Sequence, residues 1–185
     1  MVTVVSDAGP LIHLSQISKL DLVRKLFGVV FITDGVKVEV FDKGMEFGHA
    51  DAKAIGKGLA DGWLKIASFP QFLASSAAKL EKAENISQTD AETLLLAVDK
   101  KAVLLVDEKL LTNLAKMYGL KVWNTWTILL QSLREDYLEL NEINVAINEL
   151  RKTKFTLNEK QAQELLADAK VIEKHKRKIN KQKFS

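Results

Sequence analysis

The chain has 185 residues, 47% hydrophobic and 28% charged, which suits one ordinary domain with or without an appendage and excludes wholesale disorder and fibrous classes. It holds no cysteine, which excludes disulfide frameworks, zinc–thiolate sites and cysteine nucleophiles and fits a reducing, cytoplasmic setting. The net charge of +3 hides an asymmetry: residues 170–185 carry seven basic side chains against Glu173, leaving 20 basic and 23 acidic side chains in residues 1–169.

Two periodicities alternate along the chain. Val2-Thr3-Val4-Val5 is a β-branched run expected as a buried strand, and it is preceded by no basic leader and followed by an acid at Asp7, unlike a signal peptide. Apolar residues at helical spacing then run from Leu11 to Phe27, with Gly28 as the stop. Val29–Ile32 reads as a second strand, and Thr33 or Asp34 caps a helix through Val36, Val38 and Val40. A helix over 49–60 and a strand at Leu64-Lys65-Ile66 follow. Ser87-Gln88-Thr89-Asp90 opens a helix whose apolar face holds Leu94, Leu95, Leu96 and Val98. Ala102–Val106 is a continuous apolar run of strand length, as expected for a strand covered on both faces. A helix through Leu110, Leu111, Leu114 and Met117, a strand at Leu120–Trp123, and helices over 126–133, 138–150 and 155–169 complete the pass. No apolar run reaches the roughly 20 residues of a membrane span.

Strands separated by helices predict an α/β fold: a three-layer α/β/α sandwich around a central parallel sheet. The expected organisation is a domain over 1–155, then a C-terminal helical appendage over 156–185 ending in a loose basic tail.

In an open parallel sheet, functional side chains gather beyond the carboxyl ends of the strands. Asp7 directly follows the first strand, Asp107 and Glu108 follow the most apolar one, and Asp90 opens the helix before it. Glu39 interrupts an apolar stripe and is expected to turn inward. Taken singly, Asp7 and Asp90 also suit helix caps, and Asp107 and Glu108 suit first-turn acids favoured by the helix dipole. Taken together, they predict one cleft whose carboxylates repel one another unless a hard divalent cation, Mg²⁺ or Mn²⁺, supplies the opposite charge.

Five stretches carry a family resemblance: Val4-Val5-Ser6-Asp7-Ala8-Gly9-Pro10-Leu11, Val36-Lys37-Val38-Glu39-Val40, Asp90 through Ala97, Leu104-Leu105-Val106-Asp107-Glu108-Lys109, and Gly119-Leu120-Lys121-Val122 with Thr125. Over roughly 1–155 the chain resembles the PIN domain, and most closely its VapC-like branch, a family of unknown function often paired with small antitoxins. The resemblance implies a Mg²⁺- or Mn²⁺-dependent ribonuclease, frequently a homodimer. By position, Asp7, Glu39, Asp90 and Asp107 would be the catalytic acids, with Asp7, Asp90, Asp107 and Glu108 as metal ligands and Ser6 and Thr125 in support. The chain departs from these relatives in three places. Thr89-Asp90 replaces Gly-Glu, Asp107-Glu108 with Thr112 replaces Asp-Asp with an Arg, and Gly9 replaces Ser.

Other signals carry less. His13, His49 and His175 share no metal-ligand spacing, and His13, within Leu11-Ile12-His13-Leu14, reads as a core-edge or interface residue. Gly56-Lys57-Gly58 lacks the spacing of a phosphate-binding loop. Trp123 and Trp126 read as core or interface aromatics before base-stacking ones. The basic tail is read equally as an RNA contact and as a solvated helix end. The functional expectation is the ribonuclease toxin of a toxin–antitoxin pair with RNA as substrate, against a non-catalytic RNA- or partner-binding module.

Overall fold

The computed structural model describes residues 2–153 and 157–183. Two compact units divide the chain, 1–125 and 126–185. The boundary expected at 155/156 and the helix start expected at Phe155 lie outside the described residues.

The first unit is built on five short parallel strands: β1 (Val4–Ser6), β2 (Val30–Ile32), β3 (Leu64–Ile66), β4 (Val103–Leu105) and β5 (Val122–Trp123). They stand in the order β3-β2-β1-β4-β5, with Val5 opposite Phe31 on one side and Leu104 on the other. Val4, Val5, Leu104 and Leu105 are wholly buried. These central strands are buried at every position rather than alternately, because helices cover both of their faces.

Right-handed crossovers assign those helices to opposite faces. The chain passes from β1 to β2 to β3 through α1 (Ala8–Gln16), α2 (Asp21–Phe27) and the helices that follow β2, and α1 packs on α5 (Ala50–Ala60). Between them, α3 (Asp34–Lys37), a π-helical turn (Val38–Asp42) and α4 (Lys43–Glu46) form one continuous helical run capped by Thr33. The return to β4 and β5 uses α6 (Ala74–Glu84), α7 (Gln88–Asp99) and α8 (Lys109–Met117), with α7 packed against α6, β1 and β4. Leu94 and Leu96 of α7 join Val5, Leu104, Val106, Leu111 and Leu114 in one buried cluster. Each such side chain contributes roughly 1.5–3 kcal/mol by leaving water.

Three expectations need correction here. The single helix over 11–27 is two helices, because Ser18 takes a left-handed φ of 55° and Lys19 N–H turns back to the Leu14 carbonyl at 2.7 Å. α6 falls where no element was expected; only Ala77 and Leu80 of it are buried, too small an apolar face to stand out. The basic C-terminal stretch is not a loose end, since α11 (Glu159–Lys183) continues through it.

The second unit holds most of α9 (Thr125–Arg134), then α10 (Leu140–Leu150) and α11. α10 packs on α11. Ile143, Ala146, Ile147 and Leu150 of α10 and Ala162, Leu165 and Ala169 of α11 are buried at helical spacing. No described helix is long and apolar enough to cross a membrane.

Candidate active site

The chain leaves β1 toward β2 and leaves the neighbouring β4 toward β5, in the opposite direction. Such a reversal opens a crevice at the carboxyl ends of the two strands. Asp7 stands at that point. Its N–H donates to the Leu105 carbonyl at 2.9 Å, tying it across to β4, and the buried Ser6 hydroxyl donates to the Asp7 carbonyl at 2.8 Å. Ser6 thus fixes the backbone beneath the carboxylate rather than the carboxylate itself.

Asp7 occupies the N-cap position of α1 without forming a capping hydrogen bond. Only 9% of it is exposed. Burial pushes its pKa up to about 7; the Ala8 N–H pulls it back down, more than the negative charge of either Asp90 or Glu39 pushes it up, and the Gly9 N–H adds a weaker downward pull. A carboxyl group in this condition is short of counter-charge.

Two devices bring Asp90 and Glu39 near it. Ser87 caps α7 in a reciprocal box: its Oγ accepts from Asp90 N–H at 3.0 Å, and Asp90 Oδ2 accepts from Ser87 N–H at 3.2 Å. Asp90 therefore does take part in a cap, as the third residue of the helix, with Oδ1 outside the box. The start of α3 is pressed on the start of α7, where Gly35 is so close to Thr89 that an added Cβ would meet the Thr89 Oγ1 at 2.5 Å. Below that contact the buried hydroxyls of Thr33 and Thr93 meet at 3.3 Å. Glu39, expected to turn inward, is exposed. It sits in the π-helical turn, whose wider winding breaks the 3.6-residue stripe on which that expectation rested. Lys37 does not neutralise it, being held bidentately by Asp42 at 2.6 and 2.7 Å.

Asp107 is held from two sides. Thr125 donates its N–H to Oδ1 at 2.8 Å and its hydroxyl to Oδ2 at 2.7 Å, and His13 Nδ1 stands 2.7 Å from the same Oδ2. Thr125 is wholly buried. Gly9 lies between the two aspartates: a Cβ there would be 3.5 Å from Asp107 Oδ2 and 3.8 Å from Asp7 Oδ2. Glu108 is exposed at the N-cap of α8 without a capping bond, and its pKa is raised by partial burial and then by Asp90. The acids singled out from the sequence are thus linked: Asp7 with Asp90 and Glu39, Glu108 with Asp90, and Asp107 with Asp7 across Gly9.

Sequence reasoning passed over His13. The available signal was its spacing: His13 follows Gly9 by four residues on α1, so both face Asp107 from the same side of one helix.

Among the described residues, no group of three or more His, Asp or Glu side chains is close enough to serve as a ready coordination shell. The chemistry of the donors nevertheless fits a hard divalent cation. They are carboxyl oxygens, one of them buried and short of counter-charge, and Mg²⁺ usually takes only one or two carboxylates and keeps several waters.

A family model described as a PIN domain matches residues 3–171. PIN domains are generally nucleases and typically use divalent metal ions. No curated protein matched the chain.

Proposed function

Since the chain belongs to the PIN-domain family, we propose that it is a Mg²⁺- or Mn²⁺-dependent endoribonuclease that hydrolyses RNA phosphodiester bonds. The observation that carries this reading is Asp7: a buried carboxyl at the strand reversal, its pKa raised to about 7 by burial with Asp90 and Glu39 adding to the effect. Such a group is costly to ionise until a cation arrives, and that cost marks functional sites.

Asp7 and Asp90 would hold the ion. Asp107, fixed by Thr125 and His13, faces Asp7 across Gly9, and Glu39 and Glu108 extend the negative field around them. A divalent cation bound here supplies Lewis acidity and lowers the pKa of water. The protein's part is positional. Ser6 sets the backbone under Asp7, the Ser87 box orients Asp90, and Thr125 keeps Asp107 in one rotamer.

Within this reading the enzyme is the toxin of a toxin–antitoxin pair, a homodimer acting in the cytoplasm. A small antitoxin protein would place a segment against the exposed acids. Hydrolysis of RNA with Mg²⁺ or Mn²⁺ by the wild type and by Asp7→Asn tests the catalytic claim. Cleavage lost in the variant supports it, and equal activity in both defeats it.

One observation favours a second reading. That no ready-made coordination shell stands among the described residues suits a non-catalytic RNA- or partner-binding module on the same fold. That module would bind without cleaving under any metal, and would show no carboxylate-dependent Mn²⁺ site.

A further inference from the structure

We propose that one face of α11 is a track for the RNA backbone, gripped by Lys170, Lys174 and Lys178 with Arg177 beside them. The inference rests on the reading of RNA as the substrate and adds a second place where the chain holds it.

The four residues recur at intervals of four, three and one, which sets them on one face of a helix. All four are exposed. Together with Glu173 and Leu140 they line a groove of about 370 Å³. Another basic residue of this stretch, Lys176, is engaged elsewhere, for its Nζ binds the Leu133 carbonyl at 2.7 Å and Asp136 at 2.5 Å. Lys176 therefore fastens α11 within its own unit, while Lys170, Lys174, Arg177 and Lys178 line the groove.

The charge in the groove is lopsided. Its single acid among the described residues, Glu173, is paired with Arg177 at 2.9 Å. Lys170, Lys174 and Lys178 have no acidic partner among the described residues. Beyond Arg177 a neighbouring hollow carries Asp136 and Glu139, so the favourable path for a polyanion is confined to the lysine side. Three exposed ammonium groups on a helix face are spaced for successive phosphates, and they select charge rather than sequence. A structured helix loses less freedom on binding than a loose tail does, which favours its use as a docking face. Among the described residues no aromatic side chain lines the groove, so the contact is to the backbone rather than to stacked bases.

The experiment uses the full chain in EDTA, where a metal-dependent enzyme cannot cleave. Binding of a short fluorescein-labelled single-stranded RNA is read by anisotropy across a salt series. For single strands, log K falls with log salt by about 0.7 per phosphate contact. The triple variant Lys170→Gln, Lys174→Gln, Lys178→Gln should lower that slope by about 2 and weaken binding at least tenfold at low salt, by roughly the same principle. The matching Lys→Arg triple should keep both affinity and slope. A charge-matched control, Lys53→Gln, Lys82→Gln, Lys116→Gln, takes three exposed lysines from the first unit and should leave the slope nearly unchanged.

Equal affinity and slope in the Gln triple would overturn the proposal. So would an equal effect of the control, which would reduce the finding to net charge. Binding of the wild type to phosphatidylserine vesicles but not to RNA would likewise overturn it. Cleavage is scored separately, with Mn²⁺ and Asp7→Asn. A chain that binds RNA through the lysines yet cleaves nothing keeps this inference and loses the nuclease reading.

Discussion

Asp7→Asn should make the metal-free protein more stable at neutral pH. The folded-state pKa of Asp7 is raised from 3.8 to about 7, so between those values the native state binds more protons than the unfolded chain. Stability must then fall as pH rises through that window and level off above it. At about 1.4 kcal/mol per unit, the accumulated penalty at pH 8 is on the order of 4 kcal/mol. Asparagine resembles the protonated acid in shape and is never charged. The variant and wild type should therefore match near pH 4 and separate progressively to pH 8. For a chain of this size that gap amounts to roughly 10 °C in Tm. The assay is denaturant or thermal unfolding of both proteins in EDTA at several pH values, repeated with Mn²⁺. Added Mn²⁺ should close the gap by stabilising the wild type alone. A difference that does not change with pH, or a variant less stable at pH 8, would refute the reasoning.

Asp90→Asn should lower the Asp7 pKa, seen by carbon NMR titration, but leave it above 3.8, because burial is the larger cause; an unchanged value would mean the two carboxyls do not sense each other. Gly35→Ala drives a methyl onto Thr89 and should cost about 1–3 kcal/mol, with Thr89→Ala recovering much of it in a double-mutant cycle. Gly9→Ala meets only ordinary contacts at 3.5 Å, so its melting temperature should stay near wild type. Thr125→Val removes one of the hydrogen bonds to Asp107 and should cost about 1.5–3 kcal/mol in unfolding free energy, whereas Thr125→Ser should retain most of it.

Two acids of this site could be read from residue order because they follow strands. A strand of three to five apolar residues is easy to see, and whatever polar residue comes next must sit at the sheet's edge. Asp7 and Asp107 were legible for that reason. Asp90 was legible because Ser87 and Asp90 have the spacing of a capping box. The orientation of Glu39 was not, since a π turn changes the helical period without leaving a mark in composition. Nor was the break at Ser18, where a non-glycine residue takes a left-handed conformation. Thr125 is expected in support only through the family resemblance, and His13 reads as a core-edge or interface residue; their pairings with Asp107, from 18 and 94 residues away, depend on tertiary proximity that local pattern does not encode. The tail's seven basic residues left its backbone form open between a helix end and a loose tail, because charge repulsion along the stretch says more about solvation than about backbone form.

Crystals of the full chain soaked in Mn²⁺ and measured for anomalous scattering probe the proposed metal site without reliance on any activity. A manganese peak beside the Asp7 carboxylate, with Asp90 close at hand, is the expected outcome. A peak held only by other residues, or none near Asp7 at saturating Mn²⁺, would contradict the view that this buried acid waits for a cation.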